Sequence, residues 1–128
     1  MIFNGFAFSD AFAYIISDDS TGGDCSTIGT WDSGSKTCTL LGDINEGITI
    51  GSSYITLDGN DYSIIGTSPQ ENNLSTNELT GIFVNLKANI IIKNIQIQKF
   101  YNGLIFDQVV NAKIQDSSFT NSKKTQIH

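Results

Sequence analysis

At 128 residues and 13.9 kDa the chain is long enough for one compact domain and too short for two ordinary ones. Seven lysines, no arginine and thirteen carboxylates leave a net charge of −6, which excludes the basic footprint that nucleic-acid binding requires. One His and one Met exclude a clustered imidazole or thioether metal site, and 39% hydrophobic against 16% charged residues is the balance of a chain that folds.

Residues 1–13 are mostly apolar and end in Ala11-Phe12-Ala13, the small-x-small pattern that a signal peptidase accepts. They are expected to be the remnant of a secretory signal whose basic start lies upstream; an N-terminal strand is the alternative. No later apolar run approaches the roughly 20 residues of a membrane span. Residues 14–46 are expected to form an N-terminal cap. Within it Cys25 and Cys38 flank a loop rich in Gly, Ser and Thr and lack the Cys-x-x-Cys spacing of redox or zinc motifs. A structural disulfide is expected, worth about 3 kcal/mol through loop closure in the unfolded chain.

From Gly47 onward the sequence repeats. Thr80–Phe100 and Asn102–Ser122 match at a 22-residue offset: Gly81 on Gly103, Ile82 on Leu104, Val84 on Phe106, Asn89 on Asn111, Ile92 on Ile114, Asn94 on Asp116 and Ile97 on Phe119. Each unit holds three short runs of β-branched residues, separated by gaps too short for a helix, and Ile occurs nineteen times in the chain. Such a period means stacked supersecondary units, and three strands per unit predict a single-stranded parallel β-helix of about three coils, spaced by about 4.8 Å.

An earlier coil is legible in Gly47–Gly51, Tyr54–Leu57 and Tyr62–Gly66, with Ile55 and Leu57 in the places of Ile90 and Ile92. Residues 47–128 are thus read as β-helix with an inserted loop at 67–79. That loop carries the chain's one clear N-glycosylation sequon, at Asn73. Thr37–Leu41 adds a strand upstream. Asn94 and Asp116 fall at matching turns, where such side chains accept left-handed backbone and form a structural ladder. Lys123–His128 is expected neither to cap the last coil nor to complete a fourth. The exposed edge then needs further coils or another subunit, and the chain reads as a fragment of a longer protein.

The run Ile55-Thr-Leu-Asp-Gly-Asn60, the segment Tyr62–Gly66, Gly81–Val84 and Asn89–Asn94 together resemble the right-handed parallel β-helix proteins of the pectate-lyase-like superfamily. They are especially similar to the repeats of NosD-type periplasmic proteins and of secreted archaeal surface proteins. The resemblance covers residues 37–122 and implies a right-handed, all-β fold. It transfers no chemistry: the lyases use an Arg that this chain lacks, the hydrolases use clustered Asp residues, and the only adjacent pair here, Asp18-Asp19, precedes the repeat. A NosD-type copper role would want Cys, His or Met ligands, and those present are His128, Met1 and the two cysteines.

Asp58, Asn60 and Asp61 could begin a calcium site but lack EF-hand spacing, and a tight turn explains them as well; Asp18–Asp24 is a similar case. Trp31, Tyr54, Tyr62 and Tyr101 could stack on sugar rings. Asp58, Asp107 and Asp116 are the lateral carboxylates. The resulting expectation is a non-enzymatic module, secreted or at the cell surface, that is structural or binds a polysaccharide or surface protein, with no catalytic residue and no required cofactor. The alternatives are a polysaccharide lyase or glycoside hydrolase with its catalytic coils elsewhere, and a NosD-type periplasmic accessory protein.

Overall fold

The computed structural model describes residues 14–66 and 80–120, with the backbone of Lys124–Ile127. The apolar segment 1–13, the insertion 67–79 and its sequon Asn73 lie outside the described residues. Among the described residues the fold is all-β apart from one short helix, α1 (Cys25–Ile28). In chain order the strands are β1 (Tyr14–Ile16), β2 (Gly29–Asp32), β3 (Thr37–Leu40), β4 (Ile48–Ile50), β5 (Thr56–Asp58), β6 (Ser63–Ile65), β7 (Thr80–Asn85), β8 (Ala88–Lys93), β9 (Gln96–Gln98), β10 (Asn102–Asp107), β11 (Val110–Gln115), β12 (Ser118–Thr120) and β13 (Lys124–Ile127).

They form three sheets, ordered β13-β10-β7-β4-β1, β11-β8-β5-β3-β2 and β12-β9-β6. From β4 to β12 the chain visits the three sheets in rotation, so each visit lays one tier of strands beside the last. Among the described strands every pairing is parallel except β2 with β3, which is antiparallel and ends the second sheet. The 22-residue sequence match is also the spatial register. Leu104 pairs with Ile82, Ile114 with Ile92 and Phe119 with Ile97. The earlier tier follows the same rule, with Leu57 on Ile92, Ile64 on Ile97 and Ile48 on Ile82.

Alternation along each strand sends one set of side chains between the sheets. Ile48, Ile50, Leu57, Ile64, Ile82, Val84, Ile90, Ile92, Ile97, Leu104 and Phe106 form one buried cluster with Ile16, Leu40 and the cysteines. Fully burying a side chain of this kind contributes about 1.5–3 kcal/mol. The repeated glycines answer to close approach: a Cβ on Gly81 would meet Ile97 Cγ2 at 2.6 Å and the carbonyl oxygen of Gly103 at 2.7 Å.

Two segments depart from the sequence reading. Residues 14–46 do more than close the stack, because β1 pairs in register with β4, β3 pairs with β5, and Ile44 bridges to Ile64 in the third sheet. They make a further, interrupted tier. The period is hidden there because Tyr14 precedes its partner Ile48 by 34 residues rather than 22. At the other end Lys124–Ile127 forms β13 on the edge of β10, with a register shift between Asn102 and Leu104. Backbone pairing needs no apolar run, so Lys-Thr-Gln gave no strand signal.

The alternation predicts a sharp contrast between neighbours. Ile92→Ala, at an inward position with no exposed surface, is expected to lose about 2–5 kcal/mol. Ile91→Ala, on the outer face, is expected to lose about 1 kcal/mol or less. Urea unfolding of the two variants checks this, and equal losses would contradict the assignment of faces.

Candidate functional site

Parallel strands in register can only turn sharply between sheets, and the corners show how. Tyr54, Leu86, Asn89, Asn94, Lys99, Gln108, Asn111 and Asp116 all have left-handed backbone, with φ between 50° and 67°. Their peptides still bond from tier to tier. Tyr54 N–H donates to the Ala88 carbonyl at 2.9 Å, Leu86 N–H to Asp107 at 2.9 Å, and Asn94 N–H to Gln115 at 3.1 Å. The corners therefore extend the ladders, and side chains at corners recur in vertical columns.

Asn94 and Asp116 occupy one column, at the exit of the second sheet, and Asn94 Nδ2 donates to Asp58 Oδ1 at 3.2 Å. The same Asp58 oxygen accepts the Asn60 N–H at 2.8 Å, while Asn60 Nδ2 donates to the Leu40 carbonyl at 3.2 Å. Asp61 donates its N–H to the Asn94 carbonyl at 2.8 Å. Asp58, Asn60 and Asp61 thus knit one turn to the tiers on either side.

The acidic loop before the helix is held in the same way. Asp19 Oδ1 accepts N–H groups from Gly23 at 2.8 Å and Thr21 at 3.0 Å, Asp24 Oδ2 accepts from Ile15 N–H at 2.8 Å, and Asp18 pairs with Lys36 Nζ at 2.9 Å. Among the described residues no three of His, Cys, Asp or Glu gather as metal ligands. Cys25 and Cys38 are joined, with Cα atoms 5.9 Å apart and no exposed surface, and tie α1 to β3.

Tyr54, Tyr62 and Tyr101 do not share a face. Trp31 Nε1 donates to the Asp19 carbonyl at 2.9 Å within the N-terminal segment. Tyr54 precedes the second sheet, Tyr62 the third and Tyr101 the first. Of these, Tyr54 is 61% exposed and lies 5.7 Å from Lys36 Nζ, measured to its ring centre. Asp58, Asp107 and Asp116 are likewise dispersed: Asp58 and Asp107 end strands of different sheets, and Asp116 follows β11 in a later tier.

Sequence reasoning missed the column formed by Tyr54, Asn89 and Asn111, at the entry to the second sheet. Registers of Thr56 on Ile91, and of Val110 on Ala88 with Ala112 on Ile90, place these three at equivalent positions. The signal was present in the alignment of Asn89 with Asn111, since Asn tolerates left-handed backbone. Asn89 and Asn111, with Ile91, Ala112 and Lys113, line an open groove of about 420 Å³. Two asparagines at equivalent positions of neighbouring tiers, beside outward-facing Ile91 and Lys113, can bind a neutral or acidic polyhydroxylated ligand.

No protein-family model, no curated protein and no solved structure matches the chain.

Two carboxylates are held below the ordinary value of 3.8: Asp19 by the Gly23 and then the Thr21 N–H groups, and Asp32 by those of Ser35 and Gly34. A lowered folded value means stability that is complete above 3.8 and is lost as pH falls through the folded values. On acidification below 3.8 the wild type is expected to lose melting temperature more steeply than Asp19→Asn, which cannot titrate there. Parallel slopes for the two proteins would contradict this account of the loop.

Proposed function

We propose that the three sheets are the faces of a right-handed parallel β-helix, and that the chain is a non-enzymatic module of the secreted or cell-surface kind that presents a lateral groove to a carbohydrate. The winding is supported by the rotation of the chain through the sheets in parallel register, because parallel crossovers of this type are right-handed. The carbohydrate reading rests chiefly on one observation, the groove of Asn89, Ile91, Asn111, Ala112 and Lys113. Amides there can both donate to and accept from hydroxyls, while Ile91 suits the C–H face of a sugar ring.

A binding role fits better than catalysis. Glycoside chemistry needs two carboxyl groups facing one bond at a fixed separation, whereas Asp58, Asp107 and Asp116 lie on separate tiers or faces and Asp58 is bonded within its turn. An oxidising compartment is supported by the buried disulfide. Among the described residues no helix is long and apolar enough to cross a membrane.

Glycan-array binding, with and without calcium, tests the ligand class. The expected result is binding to a subset of polysaccharides that falls at least tenfold in Asn89→Gly and Asn111→Gly, substitutions that keep the left-handed backbone but remove the amides. Absence of binding to any glycan would overturn the carbohydrate reading.

A further inference from the structure

Among the described tyrosines, Tyr54 alone stands in the column of Asn89 and Asn111, one tier before the groove. The three share left-handed backbone, with φ of 67°, 60° and 58°, and successive members lie about 4.8 Å apart by strand spacing. A third asparagine would meet this backbone with less strain than a tyrosine. Strain accepted at one surface position, where a more tolerant residue occupies the two equivalent ones, points to a use for the side chain.

The corner around Tyr54 is tied down on both sides. Tyr54 N–H donates to the Ala88 carbonyl at 2.9 Å, Ser53 Oγ accepts the Ala88 N–H at 3.0 Å, and Ser52 Oγ accepts the Asp18 N–H at 2.9 Å. The side chain is met from the tier opposite Asn89. There β3 pairs with β5, and the Lys36 carbonyl accepts the Thr56 N–H at 3.0 Å. From that anchor Lys36 Nζ stands over the Tyr54 ring, 5.7 Å from its centre, and is held by Asp18 Oδ2 at 2.9 Å. A half-exposed ion pair contributes little to stability. Its consequence is geometric, because an ammonium fixed over one face of an aromatic ring favours one orientation of that ring. Tyr54 nevertheless keeps 61% of its surface exposed.

We propose that Tyr54 is a stacking residue that lengthens the groove of Asn89 and Asn111 by one tier, that Lys36 and Asp18 are its positioning residues, and that the ligand is an oligosaccharide rather than a single sugar. The ring, backed by Lys36 on one face, offers its other face to the C–H surface of a sugar unit, while the two amides take the hydroxyls of the next. The inference rests on the carbohydrate reading of the groove and adds to it a minimum ligand length and the residue that sets it.

A glycan array that carries mono-, di-, tri- and tetrasaccharides of the same linkages, titrated with the 128-residue protein, tests it. Wild type is expected to bind the longer members of a series about tenfold more tightly than the monosaccharide. Tyr54→Asn, which gives the corner the residue type of its two column partners and so preserves the fold, should abolish this gain with length, whereas Tyr54→Phe, which keeps the ring, should retain it. Lys36→Met should reduce the gain about threefold and Lys36→Arg should restore it, with the urea unfolding midpoints of both matching wild type. A gain that survives Tyr54→Asn, in a protein whose binding is still lost in Asn89→Gly and Asn111→Gly, would overturn this proposal alone. Equal loss in Tyr54→Asn and Tyr54→Phe would overturn the stacking role, and wild type that binds no member of the array would overturn the carbohydrate reading together with this one.

Discussion

Parallel pairing in strict register is the interaction on which the remaining features depend. Once Ile114 lies over Ile92 and Ile92 over Leu57, every other position on those strands is fixed vertically over its counterpart. Apolar positions then pile into a dry interior, and polar ones pile into lateral columns. A slip of one residue would exchange the two sets and place the isoleucines in water. The register is therefore defended by the whole core rather than by any single bond.

The corners meet this constraint at a backbone cost. Residues with Cβ atoms in the left-handed region are individually unfavourable, by about 1–2 kcal/mol each, yet Tyr54, Leu86 and Gln108 accept it alongside the more tolerant Asn89, Asn94 and Asn111. The offset comes from hydrogen bonds that continue through the corners, such as those donated by Tyr54, Leu86 and Asn94. The same geometry accounts for the asymmetry of the surface. Side chains at the entry to the second sheet recur from tier to tier, so Asn89 and Asn111 stand together on one groove.

Legibility in the sequence followed repetition. The tiers from Ile48 onward, the inward isoleucines, the disulfide and the turn pair Asn94 and Asp116 were readable because two adjacent units match without insertion. The N-terminal tier was not, since its repeat is stretched by the turns around α1 and β2, and Thr37–Leu40 could be seen as a strand but not as a member of a tier. β13 was hidden by its polar composition. Left-handed Leu86, Lys99 and Gln108 carry no residue-type signal at all; only the register between neighbouring tiers imposes their conformation. The groove was half legible, through its two asparagines, while Ile91, Ala112 and Lys113 gain meaning only when the tiers are stacked.

A cross-link across two tiers tests the stacking most directly. Ile91 and Lys113 face outward and are direct partners in register, which puts their Cα atoms about 4.8 Å apart and within disulfide reach. In the double variant Ile91→Cys/Lys113→Cys, mild oxidation followed by peptide mapping is predicted to give a second intramolecular bridge in nearly all molecules. The control Ile91→Cys/Gln115→Cys, two residues further on and about 8 Å away by strand spacing and rise, should remain reduced. Bridging of the control as readily as the registered pair would contradict the account.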